Sequence, residues 1–140
     1  MTFSQSIRSV FSKYATFSGR ASRSEYWFFV LFNFLISIAI YAVAFSSMPP
    51  MEVSMVSSPE NYYLSIMDAL PGWLYTVSMI YSLAVLLPSL AVSVRRLHDI
   101  GKGGGWIFIN LVPVIGSIWY IILTVPPSQR GYNRFGAQPE

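Results

Sequence analysis

The apolar positions of this chain gather into three long runs, Tyr26–Phe45, about Gly72–Val94 and Trp106–Val125, with polar positions concentrated between them. The first run is uncharged and reaches the length of about 20 residues that a helix needs to cross a bilayer core. Tyr26, Trp27, Phe28 and Phe29 supply an aromatic belt at its entry. Ahead of it, Ser22 and Glu25 form an S-x-x-E pattern, which predicts a helix start where Ser22 accepts an amide hydrogen bond and Glu25 reaches back. Asn33, Ser37 and Tyr41 recur at four-residue steps, so their polar atoms share one face, expected to point at protein rather than lipid.

Residues 1–25 carry Phe3, Ile7, Val10, Phe11, Tyr14 and Phe17 at three- and four-residue spacing. This stripe predicts one amphipathic helix, lying in the membrane interface or packed on the rest of the protein. Residues 46–71 hold four prolines and three acids with no Lys or Arg, as expected of a loop on the periplasmic side. The second span, 72–94, contains Pro88, which should kink it, and Ser78, Ser82, Ser89 and Ser93 along one face suit close helix packing.

The third run, 106–125, is interrupted by Pro113 and Gly116. Split at Val112–Gly116, each half of about nine residues would cover only about half of a ~30 Å core at 1.5 Å per residue. A re-entrant hairpin would then return the tail, 126–140, to the side it came from, where the positive-inside bias prefers Arg130 and Arg134. That reading is favoured over a single crossing. Ala42-Val43-Ala44 resembles a signal-peptidase site, but the run before it exceeds the usual 7–15 residues, which favours a retained anchor.

Composition agrees with lipid as the main solvent. Only 11% of residues are charged, against about 25% in a soluble domain, while 54% are hydrophobic. The net charge of +3 clusters near the predicted span ends, a distribution that suits anionic headgroups and argues against nucleic acid. With no cysteine, disulfide and thiolate chemistry are excluded.

Candidate chemistry concentrates in residues 95–105, Arg95-Arg96-Leu97-His98-Asp99-Ile100-Gly101-Lys102-Gly103-Gly104-Gly105, read as a basic cytoplasmic loop. Its His-Asp pair is reminiscent of metal-dependent phosphohydrolases, but the chain has no second histidine, so no metal or other cofactor is expected. The Lys-Gly-Gly-Gly string lacks the spacing of a nucleotide-binding loop. Arg20, Arg23, Arg95, Arg96 and Lys102 are the candidates for binding lipid headgroups or a partner protein, with His98 and Asp99 orienting the loop. A plainer alternative is that the cations only fix orientation.

Four sets of residues also carry a resemblance. They are Phe17-x-Gly19-Arg20-Ala21-Ser22-Arg23-Ser24-Glu25-Tyr26-Trp27, the string Arg95 to Lys102 followed by Trp106, Pro113-x-x-Gly116, and Gly131-x-Asn133-Arg134-Phe135-Gly136. In order and spacing the chain resembles the uncharacterised bacterial inner-membrane family typified by YhaH and YhaI, the domain of unknown function 805. The resemblance implies a multi-pass inner-membrane protein and transfers no catalytic residue.

The expectation is therefore an all-α, polytopic membrane domain: an N-terminal interfacial amphipathic helix, two full spans (26–45 and 72–94) and a Pro/Gly-broken third segment, with the N-terminus cytoplasmic. The favoured function is a small non-enzymatic inner-membrane module whose basic face binds anionic phospholipid or a partner, a homo-oligomer or another membrane protein. Two alternatives stay open: an oligomeric small-solute channel or transporter subunit, and a lipid-headgroup-modifying enzyme using His98 and Asp99.

Overall fold

The structure, a computed structural model, describes residues 1–48 and 70–139. These form α1 (Phe3–Ser12), α2 (Arg23–Ser46), α3 (Gly72–Asp99), a 3₁₀ segment (Gly104–Leu111) and α4 (Ile115–Thr124). Among the described residues there is no strand, only a bridge between Asn133 and Gly136. The expected 46–71 loop lies outside the described residues except at its ends. Two compact units divide the chain: Met1–Phe32 with Val85–Glu140, and Asn33–Ala84. Both α2 and α3 are long and apolar enough to cross a membrane.

In the first unit, α1 is shorter than the stripe suggested. Thr2 caps it, accepting from the Gln5 amide while Gln5 Oε1 accepts from the Thr2 amide at 2.9 Å. The helix ends at Ser12, so Tyr14 and Phe17 lie beyond it and both remain exposed. Val10 is fully buried, and Phe3 and Phe11 meet Phe28 and Phe29 edge to face, each pair 5.8 Å apart. Packing on α2 and partial exposure of these rings thus coexist.

Two predicted boundaries shift. Ser22 does cap α2, accepting the Glu25 amide at 3.2 Å. The Glu25 carboxylate, however, takes Arg95 and Ser9 instead of returning to Ser22, because a buried guanidinium outcompetes a backbone amide for it. At the other end, α3 runs on to Asp99, so the expected loop from 95 is helical through its first five residues. Arg is a good helix former, and ion pairing with Glu25 and Asp99 offsets part of the cost of burying Arg95 and Arg96 there. The helix stops in a Schellman motif: Gly101, at φ 74°, donates to His98 O, and Lys102 donates to Leu97 O.

After Gly103 the chain forms the broken apolar segment. The 3₁₀ segment ends at Leu111, and Val114 lies at φ 63°, ψ −65° with the Ile115 amide bonded to Pro113 O at 2.7 Å. This is a γ-turn of the rarer hand, strained at a β-branched residue. The two halves then pack back on each other so closely that a Cβ on Gly116 would collide with the Ile109 carbonyl. Both ends of the hairpin lie at the same end of the first unit, since the Gln129 amide bonds Asp99 O at 3.2 Å.

In the second unit, Tyr81 donates to Asn33 Oδ1 at 2.7 Å, and Ser37 bonds back to Asn33 O. Asn33 therefore faces protein as expected. Tyr41, at the far end of the same stripe, is 59% exposed.

The hairpin gives a paired prediction. Gly116→Ala should cost about 3 kcal/mol through overpacking against Ile109. Val114→Gly should gain about 1 kcal/mol, because relieved strain exceeds the added chain entropy. Thermal unfolding in detergent, followed by tryptophan fluorescence, measures both; a neutral Gly116→Ala would contradict the close approach.

Candidate functional site

The expected site residues converge at the end of the first unit, but most of them face inward. Arg95 and Arg96 are 1% and 0% exposed, Asp99 0% and Arg20 6%. Asp99 sits at the centre of the group. Its Oδ1 accepts from Arg20 Nε at 2.9 Å and its Oδ2 accepts from Arg96 Nη1. Arg95 Nη1 donates to Glu25 Oε1 at 2.8 Å, and Ser9 donates to the same oxygen at 3.0 Å. Three guanidiniums and two carboxylates are thereby removed from solvent together.

The spare donors of Arg20 and Arg96 go to main-chain oxygens, whereas Nε and Nη2 of Arg95 are buried with no hydrogen-bond partner among the described residues. Arg96 Nε donates to Thr124 O at 3.0 Å and Nη2 to Pro126 O, satisfying carbonyls at and just beyond the end of α4. Trp27 Nε1 shares Thr124 O at 3.4 Å. Arg20 Nη1 donates to Gly131 O and Gly136 O, at 2.7 and 3.1 Å, and Nη2 to Gln129 O. A fork of five donors in a fixed plane makes this possible, and a lysine could not reproduce it.

His98 packs elsewhere. Its ring stacks on Phe135 with centroids 3.8 Å apart, and Nδ1 lies 3.2 Å from Gly19 O. Arg134 covers the same Phe135 ring at 4.6 Å and donates to Gly101 O, while Asn133 Nδ2 donates to His98 O at 3.0 Å. His98 and Asp99 therefore point to different partners, as successive residues on a helix do. With both Asp99 oxygens held by guanidiniums, this pair has no carboxylate available for acid–base work.

Six cations remain at the surface: Arg8, Lys13, Arg23, Lys102, Arg130 and Arg134. Of the candidates read from sequence, only Arg23 and Lys102 are among these; the Lys102 ammonium stands 5.3 Å over the Trp106 ring. Arg23 and Arg130 share an open cleft of about 540 Å³ with Ser22, Ser24, Ser128 and Gln138. Among the described residues no cluster of three or more metal-ligating side chains occurs. In the second unit, Ser37, Tyr41, Ser78, Tyr81 and Ser82 line a pocket of about 80 Å³, room for a few waters and far below the size of a solute site.

Glu25 and Ser9 were missed as site members because a capping pattern explained Glu25 and nothing singled out Ser9. The tail residues Gln129, Asn133 and Phe135 act through contacts 35 or so positions away, beyond the reach of local pattern.

A family described as "Protein of unknown function (DUF805)" matches residues 14–137. Among similar proteins, Inner membrane protein YhaI of Escherichia coli (strain K12) is 33% identical over 132 residues, covering 94% of this chain and 92% of that protein. Inner membrane protein YhaH of the same organism is 30% identical over 136 residues, covering 94% and 93%. No solved structure matches the chain.

The buried cluster makes a specific prediction. Asp99→Asn leaves two guanidiniums buried with no carboxylate and should cost about 3–5 kcal/mol, seen as a large loss of thermal stability in detergent. Arg134→Gln, at an exposed position, should change stability by less than about 1 kcal/mol. Equal effects would show that the cluster is not what holds this end together.

Proposed function

The chain belongs to the DUF805 family, and on that premise we propose that it is a non-enzymatic inner-membrane module whose exposed basic face binds anionic phospholipid headgroups. That it is an integral membrane protein rests on its inner-membrane relatives and its two long apolar helices. The headgroup reading is carried by one observation. Glu25 and Asp99 are both spent in buried pairs, so the exposed formal charge in the first unit's described residues is positive at six positions, with no acid beside them.

Chemistry supports lipid as the source of the counter-charge. Phe3, Phe11, Tyr14 and Phe17 are partly exposed in the same stretch as Arg8 and Lys13, the mix of rings and cations suited to a membrane interface. The cations sit near both ends of the predicted spans' cytoplasmic side under the positive-inside bias. In this proposal the N-terminus is cytoplasmic and the hairpin re-enters, returning the tail to the same leaflet. Arg20, Arg95, Arg96, His98 and Asp99 hold the face in shape, and Arg23 and Lys102 belong to the binding surface itself. The acid–base alternative has lost its carboxylate, and for the solute-pathway alternative the polar pocket of the second unit is water-sized while its larger cavity, about 620 Å³, is walled mainly by apolar side chains such as Phe34, Ile38 and Phe45.

Native mass spectrometry from nanodiscs of mixed phosphatidylglycerol and phosphatidylcholine tests the proposal. Phosphatidylglycerol should stay on the protein preferentially, and the preference should weaken with salt. Each cation near such a surface contributes about 1 kcal/mol, so Lys102→Gln should lower the anionic preference roughly fivefold. Equal retention of both lipids would overturn the reading.

A further inference from the structure

The cleft shared by Arg23 and Arg130 has a more particular character than the rest of the basic face. Its walls bring two exposed arginines together with Met1, the hydroxyls of Ser22, Ser24 and Ser128 and the amide of Gln138, and among the described residues no acid lines it. Gln138 Oε1 already accepts from the Gly131 amide at 3.1 Å, which leaves its NH₂ group as the donor. Ser22 Oγ and Ser24 Oγ lie 3.0 Å apart, so when Ser22 donates to Ser24 the Ser24 hydroxyl keeps its own proton to donate into the cleft. Every strong group on these walls is thus a cation or a potential donor.

Two residues of the cleft wall, Arg23 and Ser24, also begin α2. In the first turn of α2, the Tyr26 amide bonds Ser22 O and the Glu25 amide bonds Ser22 Oγ. The amides of Arg23 and Ser24 precede any intrahelical acceptor. The volume, about 540 Å³, falls within the range of small-ligand sites and accommodates a headgroup. Two forked guanidiniums match the oxygens of a phosphoryl group and favour higher charge on it.

We infer that this cleft is a phosphomonoester site and that its occupant is the terminal phosphate of a lipid such as phosphatidic acid. A phosphomonoester offers three terminal oxygens and close to two negative charges near neutral pH, whereas the phosphodiester of phosphatidylglycerol offers one charge. A lipid is the source because Arg23 and Ser24 of the cleft wall begin α2, a helix long and apolar enough to cross a membrane, which sets the cleft at the end of a span where headgroups lie. The inference rests on the headgroup reading above and deepens it.

The two claims separate in one experiment. Nanodiscs containing phosphatidylcholine with equal phosphatidic acid and phosphatidylglycerol are analysed by native mass spectrometry of the full chain. Phosphatidic acid should be retained about tenfold over phosphatidylglycerol, more strongly as pH rises through the second phosphate ionisation. Arg23→Gln combined with Arg130→Gln should bring that ratio to one. Lys13→Gln combined with Lys102→Gln should lower retention of both anionic lipids and leave the ratio unchanged. Unaltered melting of both exposed double variants confirms that neither acts through unfolding. A ratio near one in the wild type, or one that survives the Arg23/Arg130 pair, overturns the cleft while general anionic preference stands. Loss of all anionic preference overturns both. Equal retention of glycerol 3-phosphate in discs of phosphatidylcholine alone would assign the cleft to a soluble phosphomonoester and overturn the lipid.

Discussion

The carboxylate of Asp99, gripped on each oxygen by a different arginine, is the constraint on which the first unit depends. An isolated charge at 0% exposure would be costly, and a lone carboxylate cannot neutralise two guanidiniums. The arrangement becomes tolerable because the surplus donors of Arg20 and Arg96 have backbone oxygens to meet. Those oxygens belong to α4 and the tail, so the electrostatic solution is also the solution to chain connectivity. Buried polar groups of this kind hold only when nearly every member is satisfied.

The hairpin is the second element of the design, and it complements the first. A helix broken within an apolar run leaves main-chain groups without partners unless the surrounding protein supplies them. Here Gly116 lets the halves approach at backbone distance, and Arg96 with Trp27 takes up the carbonyl where α4 ends. Strain at Val114 is set against that approach. The same arginine therefore serves the ionic cluster and the hairpin terminus.

Much of the helical layout could be read from the chain: apolar runs of spanning length and the Pro113 and Gly116 interruption. The expected aromatic belt at the start of α2 differs, because Tyr26 and Phe29 are buried in the core of the first unit. What local pattern could not supply was the destination of the charges. Arg95 and Arg96 follow an apolar run and read as headgroup cations, yet their partners are 70 residues back at Glu25 and 28 to 30 residues ahead at Thr124 and Pro126. Glu25 was assigned to its own helix start for the same reason. The stripe over residues 3–17 overshot because Tyr14 and Phe17 keep helical spacing after the backbone has already turned. Arg130 has no sequence signal that separates it from Arg134; only the fold sets it opposite Arg23.

Arg20 meets acceptors 111 and 116 positions further along, at Gly131 and Gly136. During synthesis that guanidinium is made more than a hundred residues before these acceptors. The nascent chain must therefore keep this end hydrated, with water standing in for the missing carbonyls, until Gly131 and Gly136 emerge. Closure of this end of the first unit thus follows synthesis of the helices rather than guiding it.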